Sequence, residues 1–116
     1  MNPRLLLMFA AILCTAAPAC AHAFLEHATP GAGATLAAAP SRVVLKFSET
    51  LKPALSGVAV TDGGGREVES APFVVSGKSM VALLRPLPPG SYRVAWHAVS
   101  PDAHRTQGAY SFTVRR

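Results

Sequence analysis

Cysteine is almost missing from this 116-residue chain, and both copies, Cys14 and Cys20, fall within its first twenty residues. Beyond them the chain has no disulfide to staple it and no thiolate to hold a metal. Methionine is equally scarce: past Met1 and Met8 only Met80 remains. Any metal must therefore be held by nitrogen and oxygen donors, or by one thioether. No long hydrophobic run is present. The longest, Leu5 to Ala17, is interrupted by Thr15 and falls short of the roughly 20 residues a membrane span needs. Positive charge is not concentrated either. Arg42, Lys46, Lys52, Arg66, Lys78, Arg85, Arg93 and Arg105 are scattered, and only Arg115 and Arg116 form a pair. Without a basic stripe interleaved with exposed aromatics, nucleic-acid binding is a poor fit.

The front of the chain reads as a secretory leader. Arg4 supplies a short positive start, the Leu5–Ala17 run follows, and Ala19-Cys20-Ala21 offers small residues at the last and third-last leader positions. Cleavage after Ala21 makes 1–21 a signal peptide and 22–116 the mature domain, beginning with His22. Cutting after Ala19 or after Ala23, or lipidation at Cys20, are the competing registers. The Leu expected three residues before a lipoprotein cysteine is missing, since Ala17-Pro18-Ala19 precedes Cys20. Removing 21 of 116 residues leaves 95, the size of one domain with one core. Removing Arg4 from 11 Lys and Arg leaves 10 against 6 Asp and Glu, a formal charge of +4. The product is expected to be exported, with no membrane insertion after cleavage.

The pattern after the leader is all-β. Val43, Leu45 and Phe47 alternate with Val44, Lys46 and Ser48; Val58 and Val60 alternate with Ala59 and Thr61. Asp62-Gly63-Gly64-Gly65 predicts a flexible turn. Short strands are expected at 66–71 and 73–75, a more apolar central one at 80–84, and two more at 91–99 and about 109–114. Phe24 and Leu25 suit a first strand, and 28–40 reads as a loop. About seven short strands punctuated by Gly and Pro predict a β-sandwich or barrel. Tyr92, just after Pro88-Pro89-Gly90, resembles the tyrosine corner of immunoglobulin-like folds, and Trp96 is assigned to the core.

A first-position His22 would offer two nitrogens at once, its α-amine and its imidazole. Far along the chain, Ser100-Pro101-Asp102-Ala103-His104 joins two predicted neighbouring strands. In an extended loop, Asp102 and His104 project to one side. If the N-terminus runs beside that loop, one amine, two imidazoles and one carboxylate converge. Four N/O donors in a tetragonal arrangement suit Cu(II), which also heads the affinity order of divalent first-row ions. Binding should weaken in acid, where protons compete for the nitrogens. Asp102 either ligates directly or orients an imidazole. Taken alone, a loop Asp-x-His is more often turn chemistry. His27 is expected on the opposite face of an extended segment, and His97 on the face opposite Trp96. Ser100, Asp102 and His104 contain the letters of a nucleophilic triad but are too close for a relay in an extended loop.

Several segments together resemble the CopC family of periplasmic copper-resistance proteins. They are His22-Ala23-Phe24-Leu25, Thr29-Pro30, Leu45-Lys46-Phe47-Ser48-Glu49, Gly90-Ser91-Tyr92-Arg93-Val94-Ala95-Trp96, Val99 to His104, and Gly108 to Val114. The resemblance implies a small Greek-key β-sandwich that binds one Cu(II) in the periplasm. It places the family's N-terminal His on His22 and its Asp-x-His pair on Asp102 and His104. Glu49 corresponds to a residue close to the site in some relatives and is an auxiliary candidate. Some members carry a Met-rich loop that holds Cu(I); with Met80 alone, and that in an apolar run, no Cu(I) site is expected. Some relatives are fused to a membrane-spanning importer; here any such partner, a CopD-type inner-membrane copper transporter, is expected to be a separate protein.

The expected role is a periplasmic copper buffer, carrier or chaperone, not an enzyme. Two alternatives stand beside it. A histidine-brace copper monooxygenase would share the terminal His, but needs a flat face with exposed aromatics and an open ligand position. A metal-free immunoglobulin-like interaction domain would share only the sandwich.

Overall fold

The structure is a computed structural model that describes residues 22–116. The expected signal peptide, 1–21, lies outside the described residues. Eight strands form two four-stranded sheets. The first sheet holds β1 (Leu25–Thr29), β3 (Arg42–Phe47), β6 (Ser79–Leu83) and β5 (Val74–Ser76), in that order. The second holds β2 (Thr35–Leu36), β8 (Arg105–Val114), β7 (Gly90–Val99) and β4 (Gly57–Thr61). All neighbours are antiparallel except the two-residue β2, which runs parallel to β8. A 3-10 turn, Pro53–Leu55, precedes β4.

Alternation decides which side of each strand faces the core. In β3, Val43, Leu45 and Phe47 are buried while Arg42 and Lys46 are exposed. On the facing sheet, Val58 and Val60, Tyr92 and Val94, and Phe112 and Val114 fill the same interior. Each such side chain contributes about 1.5–3 kcal/mol by leaving water. Met80 is fully buried opposite Leu45, as a core filler would be. Trp96 is partly buried; it meets Phe47 edge-on at 5.1 Å and lies over Gly108, where an added Cβ would come within 2.8 Å of the indole. The Tyr92 hydroxyl donates to the Pro88 carbonyl four residues upstream, which makes the tyrosine corner real.

Three local expectations change. The glycine-rich turn is not loose: Asp62 Oδ1 accepts from the amides of Gly64 (2.9 Å) and Arg66 (3.0 Å), and Gly65 takes φ +85°. Those amides, Arg66 first, hold the Asp62 carboxyl below the usual carboxylate range. The expected strand at 66–71 is only two isolated bridges, Thr61 to Glu67 and Glu69 to Leu84. This segment leaves the β4 edge and joins the end of β6, so it cannot follow either strand for long. The 28–40 loop contributes the end of β1 and all of β2.

Candidate metal centre

The residues His22-Ala23-Phe24 are pinned to the end of the sandwich by two hydroxyl groups, one just past β3 and one on β8. Ser48 Oγ accepts from the Phe24 amide at 2.8 Å and donates to the His22 carbonyl at 3.2 Å. The Phe24 carbonyl in turn accepts from the Ser48 amide at 2.8 Å. Thr106 Oγ1 donates to the Ala23 carbonyl at 2.7 Å, across 83 residues of sequence. Between these bonds the Ala23 methyl is fully buried in the core. The hydroxyls satisfy backbone groups that no strand partner reaches, and the methyl fixes the depth at which the segment sits.

The β7–β8 hairpin presents its turn beside this segment. The turn closes through Ser100 N–H to the His104 carbonyl (3.0 Å) and Ala103 N–H to the Ser100 carbonyl (2.8 Å). It is therefore compact rather than extended, and it requires Ala103 to adopt φ +72°. The tightness has a consequence the sequence spacing argued against: Ser100, Asp102 and His104 are joined by hydrogen bonds. Ser100 Oγ donates to Asp102 Oδ1, and Asp102 Oδ2 lies 2.8 Å from His104 Nδ1. The order is wrong for nucleophilic catalysis, because the serine proton points to the carboxylate and Ser100 is fully buried. The chain of bonds instead aims an imidazole. Hydrogen bonds from Ser100 first, then from His104, hold the Asp102 carboxyl down at about 2. An ionised carboxylate on Nδ1 fixes the histidine tautomer with its lone pair on Nε2.

The two halves meet. The His22 and His104 rings stand 4.5 Å apart between centroids, inclined at 63°. Phe24, 55% exposed, meets the His22 ring edge-on at 5.8 Å. His104 and Asp102 are open to solvent, with side chains 59% and 39% exposed. Among the described residues, no three His, Asp or Glu side chains converge closely enough to hold a metal as they stand. The contacts are pairwise, His22 with His104 and His104 with Asp102. One donor of the expected set is also chemically withheld: in a chain where Ala21 precedes His22, the His22 nitrogen is a peptide nitrogen. Glu49 is half-buried and follows Ser48 directly, but joins no such group. His27 is exposed on β1, opposite Lys46 and next to a bulge. His97 is half-buried on the outer face of the second sheet; burial first, then Arg105, lowers its pKa.

Ser48 and Thr106 were not singled out by the sequence, and Ser100 was weighed only as a nucleophile. Each is an ordinary small polar residue in a strand or turn, and only tertiary contact reveals its use.

The sequence and the fold are similar to those of known proteins. The model of the CopC domain matches residues 25–115. Copper resistance protein C of Escherichia coli is 41% identical over 107 residues, covering 84% of this chain and 84% of that protein. Among solved structures, CopC from Methylosinus trichosporium OB3b superposes with a TM-score of 0.74 at 32% identity, covering 81% of this chain and 94% of that one. PcoC, described as a methionine-rich copper resistance protein from Escherichia coli, superposes with a TM-score of 0.72 at 40% identity, covering 82% and 100%. Matched over nearly all of its described length in sequence and in fold, this chain belongs to the CopC family.

Proposed function

We propose that the protein binds one Cu(II) per chain at His22, Asp102 and His104, and acts in the periplasm as a copper buffer or carrier in copper resistance and homeostasis. The relatives named for copper resistance support the copper part of this reading. The observation that carries the site is the contact between the His22 and His104 rings, 4.5 Å apart although they come from opposite ends of the chain.

The donor set fits the ion. Cleavage before His22 turns a peptide nitrogen into an amine, which closes a chelate ring with its own imidazole. His104, aimed by Asp102, adds a second imidazole nitrogen through Nε2. Nitrogen-rich, roughly planar sets favour Cu(II) over softer or harder ions. Asp102 supplies a negative charge beside the cation, either from its place on His104 or by rotating to ligate. Glu49, which follows Ser48, is the proposed auxiliary group, on the family resemblance. Met80, the one methionine among the described residues, is buried in the core, which leaves no thioether pair there to favour Cu(I).

Exposure fits a carrier. A side chain 59% exposed lets a partner's ligands reach the metal in an associative exchange. A separate inner-membrane copper transporter of the CopD type is the proposed recipient. Among the described residues no helix is long and apolar enough to cross a membrane.

The test is native mass spectrometry of the exported protein with and without one equivalent of Cu(II). A first residue of His22 and one retained copper, lost in His22→Ala and His104→Ala, support the reading. A chain starting at Phe24, or copper retained by both variants, contradicts it.

A further inference from the structure

A cleft of about 970 Å³ lies on the outer face of the second sheet, and neither Asp102 nor His104 lines it. Its floor is made of unusually small residues: Gly57 and Ala59 on β4, Ala95 on β7 and Ala109 on β8. Their register pairs Ala59 with Ala95 and Ala95 with Ala109, so the smallness runs across three strands as a trough. One wall is the Phe73 ring, which lies over Gly57; a Cβ there would meet the ring at 2.9 Å. Phe73 is 40% exposed, so its other face borders the trough.

Charge is arranged at the ends of this trough. Arg105 lies beside Val99 at the end nearest the His104 turn, and its Nε donates to Gln107 Oε1 at 3.3 Å, which lays the guanidinium along the sheet. Arg93, opposite Ser111, stands at the far end with Arg85. The only ion pair among the described residues is His104 with Asp102, so none of these three arginines has a carboxylate partner there. Two carboxylates also border the cleft, Glu67 and Glu69, the latter accepting from the Val60 amide, so the lining carries three guanidinium groups against two carboxylates. From Arg93 to Val99 is about six residue steps along β7, or roughly 20 Å at about 3.3 Å per residue.

We propose that this trough is a docking groove for an extended acidic segment of a partner protein, about six or seven residues long, with carboxylates at both ends and small or apolar residues between. Guanidinium groups pair with carboxylates in a bidentate fork, and the small floor lets a backbone approach the sheet closely. The Phe73 wall would cover an apolar side chain of the occupant. The groove ends at the turn that carries His104, so an occupant would lie beside the copper donors. That last consequence rests on the function proposed above; the docking itself does not.

The test uses the chain from His22 to Arg116, isotopically labelled and kept metal-free with a chelator. The probe is the capped heptapeptide Asp-Glu-Val-Ala-Val-Asp-Glu, with Lys replacing each acidic residue as control. Saturable amide shifts at Ala59, Ala95, Gln107 and Ala109 are expected with the acidic peptide alone. Arg93→Glu with Arg105→Glu should weaken it about tenfold. Ala109→Gln, which fills the trough without changing charge, should weaken it too, with a well-dispersed spectrum confirming its fold. Absence of saturable shifts, shifts elsewhere on the surface, or equal affinity in both variants would overturn the proposal. So would the same shifts with phosphatidylglycerol vesicles or a short single-stranded DNA, which would mark a general polyanion face. Because no copper is present, the peptide result stands apart from the metal site: peptide binding by a protein that fails a separate Cu(II) titration would sink the proposed function and leave the groove standing.

Discussion

Ser48 and His22 are tied by a hydroxyl group that does two jobs. Ser48 Oγ donates to the His22 carbonyl at 3.2 Å while accepting the Phe24 amide at 2.8 Å. The candidate ligand at the chain's front is thereby held by a residue at the end of β3, and its ring is brought against His104.

Ser48→Ala leaves two backbone groups without their partner and should cost about 1–2 kcal/mol of stability. It should also speed Cu(II) release to a chelator, because the segment carrying His22 is freed at one of its two hydroxyl anchors. Ser48→Thr, which keeps the hydroxyl, should restore slow release. Stopped-flow release and thermal unfolding on both variants separate the effects. Unchanged release in Ser48→Ala would show that the hydroxyl does not hold the ligand.

Asp102 is held at about 2, against 3.8 for a free carboxyl, by hydrogen bonds from Ser100 and His104. A carboxyl lowered on folding stabilises the native state above its unfolded pKa, and that contribution disappears as pH falls through the folded value. Metal-free protein should therefore lose stability between about pH 4 and pH 2. In Asp102→Asn the loss over that window should be shallower. The same variant should bind Cu(II) about 10–100-fold more weakly, as expected when an imidazole loses the carboxylate that orients it. Calorimetric unfolding across that range, and a competition titration at neutral pH, read the two effects separately.

His97 behaves oppositely in sign to a salt-bridged histidine. Burial, and then Arg105, lower its pKa from 6.5, so the unfolded chain takes up a proton more readily than the folded one. Stability should decline as pH falls below about 6.5 and level off beneath the folded value. His97→Gln should flatten this step while leaving the Asp102 window intact. Thermal unfolding between pH 7 and pH 5 checks it.

Gly108 is required by the neighbouring indole. A methyl there would sit 2.8 Å from Trp96, so Gly108→Ala must displace the ring or the strand. A cost of about 1–3 kcal/mol is expected, with a shift in tryptophan emission as the ring moves away from Phe47. Unchanged emission and stability would mean that the β7–β8 contact is looser than described.

Much of this architecture was legible because burial imposes a period. Val43-Leu45-Phe47, Tyr92-Val94 and Phe112-Val114 alternate as strands with one side in the core, and they are buried as that alternation requires. Tyr92 was readable from the prolines and glycine before it. Residues 66–71 were misread because a crossing between sheets carries the same residue types as a strand; its role is set by where the neighbouring edges lie. Asp102 and His104 were visible as donors, but their mutual hydrogen bond was not, since it depends on Ala103 turning to φ +72°. Gly57, Ala59, Ala95 and Ala109 look bland in sequence. Only cross-strand register assembles them into a trough.

The central claim is that copper is held by a histidine whose own α-amine has been freed. Electron paramagnetic resonance of the chain beginning at His22, with one equivalent of Cu(II), should show several equatorial nitrogens. A chain with a single Gly added before His22 keeps every side chain, yet turns that amine back into an amide. The added residue should collapse the spectrum towards that of weakly bound copper and lower the affinity steeply. Identical spectra and affinity for the two chains would contradict the account.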